Sequence, residues 1–445
     1  MYSFSPKLKL YSIILIVVGL VLFGIGYLLN HGLNESAIQT MMDNVHHGTE
    51  HHTPMNSSEL VGPQDNDAHL EHATHQIHNT PFSALLTAAM LFFGISACAL
   101  FFLSIQHAAH AGWSVIVTRV MEAVASFIPV GGIVLLILTF LNVGGIAHLY
   151  HWMDPELTNP ESPKFDVILF EKAQKFLNIP FYVVRILIYV IGTSFFVWKI
   201  KSLSKKLDAT KDRKDHQKLY NWSVGYIAFF GFASAAWAWD FIMTIDPHWY
   251  STLYIWYSMV STLSSAVAVI ILVAVHLKRK GVLPQFNDNH LHDLAKFLFA
   301  TSLLWTYLWF DQFMLYWYAN IPEEVRYFFD RFAYYKYTFL PMLIINFLLP
   351  LLVLVSSSIK RNYKVVTTMA VLVILGHWLD FFNMVMPGTV GPFWANAHTA
   401  LLVFGAFFFV AGLFIFTIMT ALSKLKLIPT GNPLLHESEI YEYPF

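Results

Sequence analysis

Nine side chains of the kind that move protons or hold an opposite charge stand in or beside long apolar stretches of this sequence. They are Arg119, Glu122, Asp240, Asp246, His248, Asp311, His377, Asp380 and His398. Carboxylates and imidazoles can take up and release protons near neutral pH. The spacing adds a pattern: Arg119 and Glu122 are three residues apart, as are His377 and Asp380, so each pair shares one face of a helix. The turn Asp246-Pro247-His248-Trp249 directly follows an apolar run. For Arg119 and Glu122 two readings stay open, an ion pair that packs helices together and a proton relay. For Asp240, Asp311 and Asp380 the choice lies between capping near the headgroups, where charge costs little, and one polar cavity shared with His377 and His398.

The elements that must position these residues are membrane helices. The 445 residues are 56% hydrophobic, 16% aromatic and only 12% charged, against about a quarter charged in soluble domains. Lipid is therefore the expected solvent. Roughly 20 apolar residues span the hydrocarbon core, and that window predicts an all-α integral membrane protein of about ten transmembrane helices: 10–29, 81–105, 115–143, 181–198, 220–241, 253–275, 294–316, 338–359, 365–386 and 393–422. The first is longer than a signal-peptide core and has no small-residue cleavage site, so it reads as a retained helix.

Lysine and arginine set the orientation. With the N-terminus cytoplasmic, 18 of the 27 fall on inside segments, eight of them between Lys199 and Lys218, and six on outside loops. Both termini are then cytoplasmic. Glu122 falls in the inner half of its helix, and the three aspartates fall in outer halves. The division that follows is an N-terminal helix (1–30), a His-rich outer loop (31–79), a first four-helix bundle of helices two to five (80–241), a second of helices six to nine with outer loops (242–386), a last helix (387–422) and a cytoplasmic tail (423–445). Helices one and ten are peripheral. Parallel repeats of this kind recur in membrane folds.

Composition narrows the chemistry further. A net charge of −1 offers no field for nucleic acid. One cysteine, Cys98, and no CxxCH leave no ligands for an iron–sulfur cluster or covalent haem. His377 and His398 have no evident mates for bis-histidine haem. Segment 31–79 holds nine of the 21 histidines but few large apolar residues. It reads as a solvated loop ordered by partners, with weak metal binding as the alternative. Aromatics crowd the outer ends, among them Trp237, Trp249, Trp305 and Trp317; an interfacial belt explains most, and a stacking wall for a quinone is the alternative.

At Trp239-Asp-Phe-Ile-Met-Thr-Ile-Asp-Pro-His-Trp-Tyr-Ser-Thr252 and Trp317-Tyr-Ala-Asn-Ile-Pro-Glu-Glu324 the sequence resembles the NrfD/PsrC-like membrane subunits of alternative complex III, the bacterial quinol:electron-acceptor oxidoreductase. Within that family it looks most like the second, ActF-type subunit. His292-Asp-Leu-Ala-Lys-Phe-Leu-Phe-Ala300 and His377-Trp-Leu-Asp380 fit the same pattern, and the likeness runs from about residue 80 to 422. The resemblance implies a subunit of the bacterial inner membrane beside a homologous NrfD-like subunit. Periplasmic multihaem c, monohaem c and iron–sulfur subunits would carry the redox centres. It assigns the main quinone site to the homologous subunit and leaves this chain as scaffold and proton-conducting partner. Outside that family the sequence fits a secondary transporter, which predicts helices broken by Gly and Pro at mid-membrane, Pro129-Val-Gly-Gly132 being the best candidate, or a purely structural assembly subunit.

Overall fold

The computed structural model describes residues 2–49 and 63–443. The chain is an all-α polytopic membrane protein. Its elements begin with α1 (Pro6–His31), α2 (Glu35–Thr49), α3 (Pro63–His78), α4 (Thr80–Ala108), α5 (Thr118–Ala125), α6 (Ile128–Val143), α7 (Val167–Lys175) and α8 (Ile179–Thr210). There follow α9 (Arg213–Phe241), α10 (Leu253–Arg279), α11 (Asp288–Ala319), α12 (Pro322–Tyr334), α13 (Lys336–Leu343), α14 (Leu349–Val353), α15 (Tyr363–Thr389), α16 (Ala397–Ser423) and α17 (Leu435–Glu439). Among the described residues nine helices are long and apolar enough to cross a membrane, counting α5 with α6 and α13 with α14 as one each. The remaining expected span, the seventh, is α11, which has the length at 32 residues, but Asp311, Gln312 and three tryptophans dilute its apolar character.

Helices α4 and α10 stand at the centre. They pack against each other, and both also touch α5, α9 and α15. Their serines and threonines are buried, and many return their hydroxyls to their own helix, as Ser258 does to Tyr254 O at 2.9 Å and Thr87 to Ser83 O at 2.8 Å. That is how a polar side chain survives without water. Helix α1 lies on the outside, its apolar side chains largely exposed, and packs on α16. The crossing is close enough that a Cβ on Gly19 would strike the backbone of Phe409, and one on Gly405 would come within 2.6 Å of Phe23 N. Small residues at such a crossing let backbones approach in lipid.

Two spans are interrupted, each for a local reason. Pro129 has no N–H to give Ala125 O, and Ser126 and Phe127 bond to Ala123 and Val124 in tighter turns at 3.1 and 3.3 Å, separating α5 from α6. Between α13 and α14 a π-turn covers Ile344–Leu348. Pro350 cannot bond back to Asn346 O, and Pro341 interrupts the turn before.

Two connections differ from the sequence expectation. The basic loop expected at 199–218 is helical: α8 continues to Thr210, Lys211 takes a left-handed conformation at φ 52°, and Asp212 caps α9. Straight-chain Lys and Leu lose little freedom in a helix, so the extension costs little. Segment 31–79, expected as a solvated loop ordered by partners, carries α2 and α3. Ile38, Ala73 and Ile77 are buried against Leu33, Met41, Met42, Leu70 and Phe393. The apolar residues are few, yet they recur at helical intervals, and the bundle end supplies the rest of the surface. His51 and His52 lie outside the described residues.

Histidines hold this insert to the bundle. His31 of α1 stacks on His78 of α3, with ring centroids 4.9 Å apart, Tyr27 stacks on the other side of His31, and His75 meets His148 edge-on at 5.3 Å. Asn30 donates to Ile77 O at 2.9 Å and Asn79 to His148 O at 2.8 Å. Burial, then the neighbouring His31 and His75, hold His78 below the ordinary histidine range.

Two expected outcomes follow. Because His78 resists protonation in the folded state more than in the unfolded one, docking of α3 is at full strength above the ordinary histidine range and weakens as pH falls through it. The protection of α3 against hydrogen exchange, relative to the intrinsic rate at each pH, should therefore fall between about pH 7 and 5 while that of α4 holds, and His78→Phe should remove that dependence. Gly19→Leu should force α1 from α16 at a cost of about 1–3 kcal/mol, read as a lower melting temperature in detergent.

Candidate functional site

The most enclosed polar site surrounds Asp380 on α15. Two neighbouring helices supply three donors to its carboxylate: Tyr257 and Ser261 from α10, and Trp305 Nε1 from α11. The serine and tryptophan bonds are both 2.8 Å, and the tyrosine hydroxyl donates to the other oxygen. His377 lies one turn before Asp380, with Nδ1 3.4 Å from Oδ2 and 2.9 Å from Ser261 Oγ. Asn346 of the π-turn approaches the same nitrogen at 3.4 Å, and Trp305 stands edge-on over the imidazole. Asp380, His377 and Trp305 are fully buried. Gly376 makes room for this: a Cβ there would collide with the Asn346 side chain. His377 Nε2 and Asn346 Oδ1 have no partner among the described residues, so the cluster has unused proton and hydrogen-bond capacity.

A small cavity lies beside this cluster on the side of α12. Tyr257 lines a cavity of about 10 Å³ with Gln312, Tyr327, Arg331 and Asn383, room for about one water. Gln312 Nε2 is buried with no partner among the described residues. On α12, Arg331 lies over the Tyr327 ring at 3.3 Å and donates to Tyr327 O at 2.5 Å. Its chain neighbour Asp330 lines an open surface cavity of 410 Å³ together with Arg326, His72 and Gln76. Burial, partly offset by Arg326 and Arg331, pushes the Asp330 carboxyl above the usual carboxylate range.

Near the opposite, lysine-rich face a second cluster forms. Arg119 Nη1 donates to Glu122 Oε2 at 2.7 Å and to Ser204 Oγ at 2.8 Å, while Nη2 donates to Asp208. Asp208 in turn accepts from Gly431 N at 3.1 Å, which ties the C-terminal tail to the cluster. Arg119 is 1% exposed and Glu122 fully buried, yet Glu122 Oε1 and Arg119 Nε have no partner among the described residues. Ser126, at the Pro129 break, donates to Glu122 O and accepts from Lys201 Nζ at 2.5 Å. Each interrupted span thus brings its break to a buried acid.

The remaining acids go elsewhere. Arg185 grips Asp240 with two bonds, Nε to Oδ2 at 2.8 Å and Nη2 to Oδ1 at 2.6 Å, and its guanidinium rests on Phe176 and Phe181. That is a closed pair. Asp311 is half-buried on the outer side of α11, where no hydrogen bond or ion pair reaches it among the described residues; its neighbour Gln312 faces the cavity instead. His248 Nε2 meets Asp166 Oδ2 at 3.1 Å on the surface. Asp246 stays in the adjoining turn, and His398 is half-buried with Nδ1 enclosed and unpartnered. The three aspartates therefore do not meet in one cavity; Asp380 alone reaches the polar core. Among the described residues no cluster of three or more His, Cys, Asp or Glu is arranged to hold a metal ion.

Sequence reasoning missed the neutral partners Tyr257, Ser261, Trp305 and Asn346, and it left Asp208 in a loop. One signal was present: Tyr254, Tyr257, Ser258, Ser261 and Ser265 recur along one stripe of α10, a polar face in an otherwise apolar span. No protein-family model matches the chain, and no curated protein matches it.

Because Asp240 and Arg185 satisfy each other, Arg185→Gln should destabilise the fold by about 3–5 kcal/mol. The double replacement Arg185→Met with Asp240→Leu should recover much of that loss, as judged by melting temperature in detergent.

Proposed function

We propose that this chain is an integral membrane subunit of a quinol:electron-acceptor oxidoreductase of the alternative complex III type, serving as scaffold and as proton-conducting partner to a homologous NrfD-like subunit. Haem c and iron–sulfur centres belong to periplasmic partner subunits in this reading, the membrane is the bacterial inner membrane, and both termini are cytoplasmic. The sequence stretches around Trp239–Thr252 and Trp317–Glu324 support it. So does one structural observation above the rest: a fully buried carboxylate, Asp380, held by three donors beside an imidazole, with a water-sized cavity beside its Tyr257 donor.

The chemistry follows from the residues. A proton arriving through the cavity meets the Tyr257 hydroxyl, which already donates to Asp380 and can pass a proton by rotating between two acceptors. Asp380 and His377 share Ser261 and can hold the proton on carboxylate or imidazole. Glu122, buried towards the lysine-rich face, provides a second proton-binding group at a different depth. Two such groups, each beside a helix break, suit a pair of half-paths. The 80–241 and 242–386 segments are the two four-helix bundles that carry them.

A secondary transporter is the second reading, and the interrupted spans at Ser126–Phe127 and Ile344–Leu348 favour it. Mild-detergent purification separates the two: haem c absorbance should co-isolate with this chain, whereas a lone colourless protein supports the transporter. In vesicles bearing the complex, Asp380→Asn should lower quinol-driven proton movement by about tenfold or more, and Glu122→Gln should lower it less. Unchanged proton movement in both variants removes the proton-conducting role and leaves a scaffold.

A further inference from the structure

Helix α11 has two polar sides. One faces the protein: Leu298, Thr301, Ser302, Trp305, Leu308 and Gln312 are buried. The other carries Leu304, Tyr307, Asp311, Met314, Leu315 and Tyr318, at helical intervals of three and four. Its large side chains are open, Tyr307 at 63% and Leu315 at 56% exposure. Such a stripe is ordinary for a helix against lipid, except that it contains a carboxylate. Asp311 has no hydrogen-bonding or charged partner among the described residues. Exposed Trp317 and Tyr318 mark the level of the membrane interface, and Asp311 lies six to seven residues below them, about 10 Å down the helix. Its short side chain cannot span that distance to water. Ionisable residues at membrane depth face the bundle interior or find a partner; this one faces outwards.

We propose that this stripe of α11 seats a transmembrane helix of a different membrane protein, which brings an arginine or lysine to Asp311. Charge complementarity selects the occupant: lipid tails offer no cation at that depth. A second copy of this chain offers none either. Its membrane-embedded Arg119, Arg185 and Lys296 are already committed to Glu122, Asp208, Asp240 and Asp293, and a two-fold α11–α11 contact would set Asp311 against Asp311. The flanking Tyr307, Met314 and Leu315 supply aromatic and apolar surface for helix packing. The inference does not depend on the redox reading, since it names a surface and its recognising charge rather than the reaction.

The test places a photo-crosslinking residue at Tyr307 or Leu315 of the full chain in its native membrane, with Phe232, exposed on α9, as control site. The expected result is a crosslink from the α11 sites alone. It should map by mass spectrometry to a membrane-spanning segment of another protein with a basic residue within one helical turn. Asp311→Asn should lower the crosslink yield about tenfold or more without changing the melting temperature of the isolated chain. Asp311→Lys should abolish it, and an acidic replacement of the partner's basic residue should restore it. Crosslinks to lipid alone, to a second copy, or to a segment without a basic residue would overturn the proposal. So would an Asp311→Asn yield equal to that of the unaltered chain. Electron transfer and proton movement are not read in this experiment, so its failure leaves the proposed function standing.

Discussion

A carboxylate withdrawn from water into the middle of a helix bundle carries a desolvation penalty of several kcal/mol even after the protein relaxes around it, and around Asp380 that penalty organises everything nearby. The two oxygens are satisfied by hydroxyl and indole donors from α10 and α11. Those bonds fix where three helices stand relative to one another. Helix α13–α14 is drawn in as well, because the π-turn turns Asn346 towards His377 and Gly376 leaves it the space. A residue that is expensive to bury thus also defines the geometry of its half of the molecule.

The same rule sorts the other buried acids by how completely the chain answers them. Asp240 receives a bidentate guanidinium that is itself stacked on two rings, which leaves little capacity for anything else. Glu122 is answered only in part: Arg119 divides its donors among Glu122, Ser204 and Asp208, and one Glu122 oxygen is unpartnered. The Asp380 cluster likewise keeps an unpartnered imidazole nitrogen. Full satisfaction points to a structural pair, partial satisfaction to a group that can change its protonation or its partners. Asp311 receives no answer from the described residues of its own chain, and that is the ground for looking beyond it.

Helix interruptions coincide with the partly satisfied acids. A break frees backbone groups that lipid cannot satisfy, so it must lie where side chains or water can. Ser126 and Lys201 stand at one such break, and Asn346 with His377 at the other. Proline chemistry made both breaks locally, and the polar clusters make them tolerable.

The sequence by itself determined the solvent, the helical class and which acids lie at membrane depth, because a count of apolar residues over a bilayer's thickness needs no tertiary knowledge. It also paired Arg119 with Glu122 and His377 with Asp380, since both contacts lie within one helical turn. Only tertiary structure decided that Asp240 belongs to Arg185, 55 residues earlier, that Asp208 completes the Arg119 cluster, and that Asp380 is held by Tyr257, Ser261 and Trp305. Those contacts join separate helices. Helix rotation decided the fate of Asp311 in the same way: one residue, about 100° of turn, separates it from Gln312 in the cavity, and no periodicity along α11 says which of the two faces inwards until α10 and α15 are packed against it.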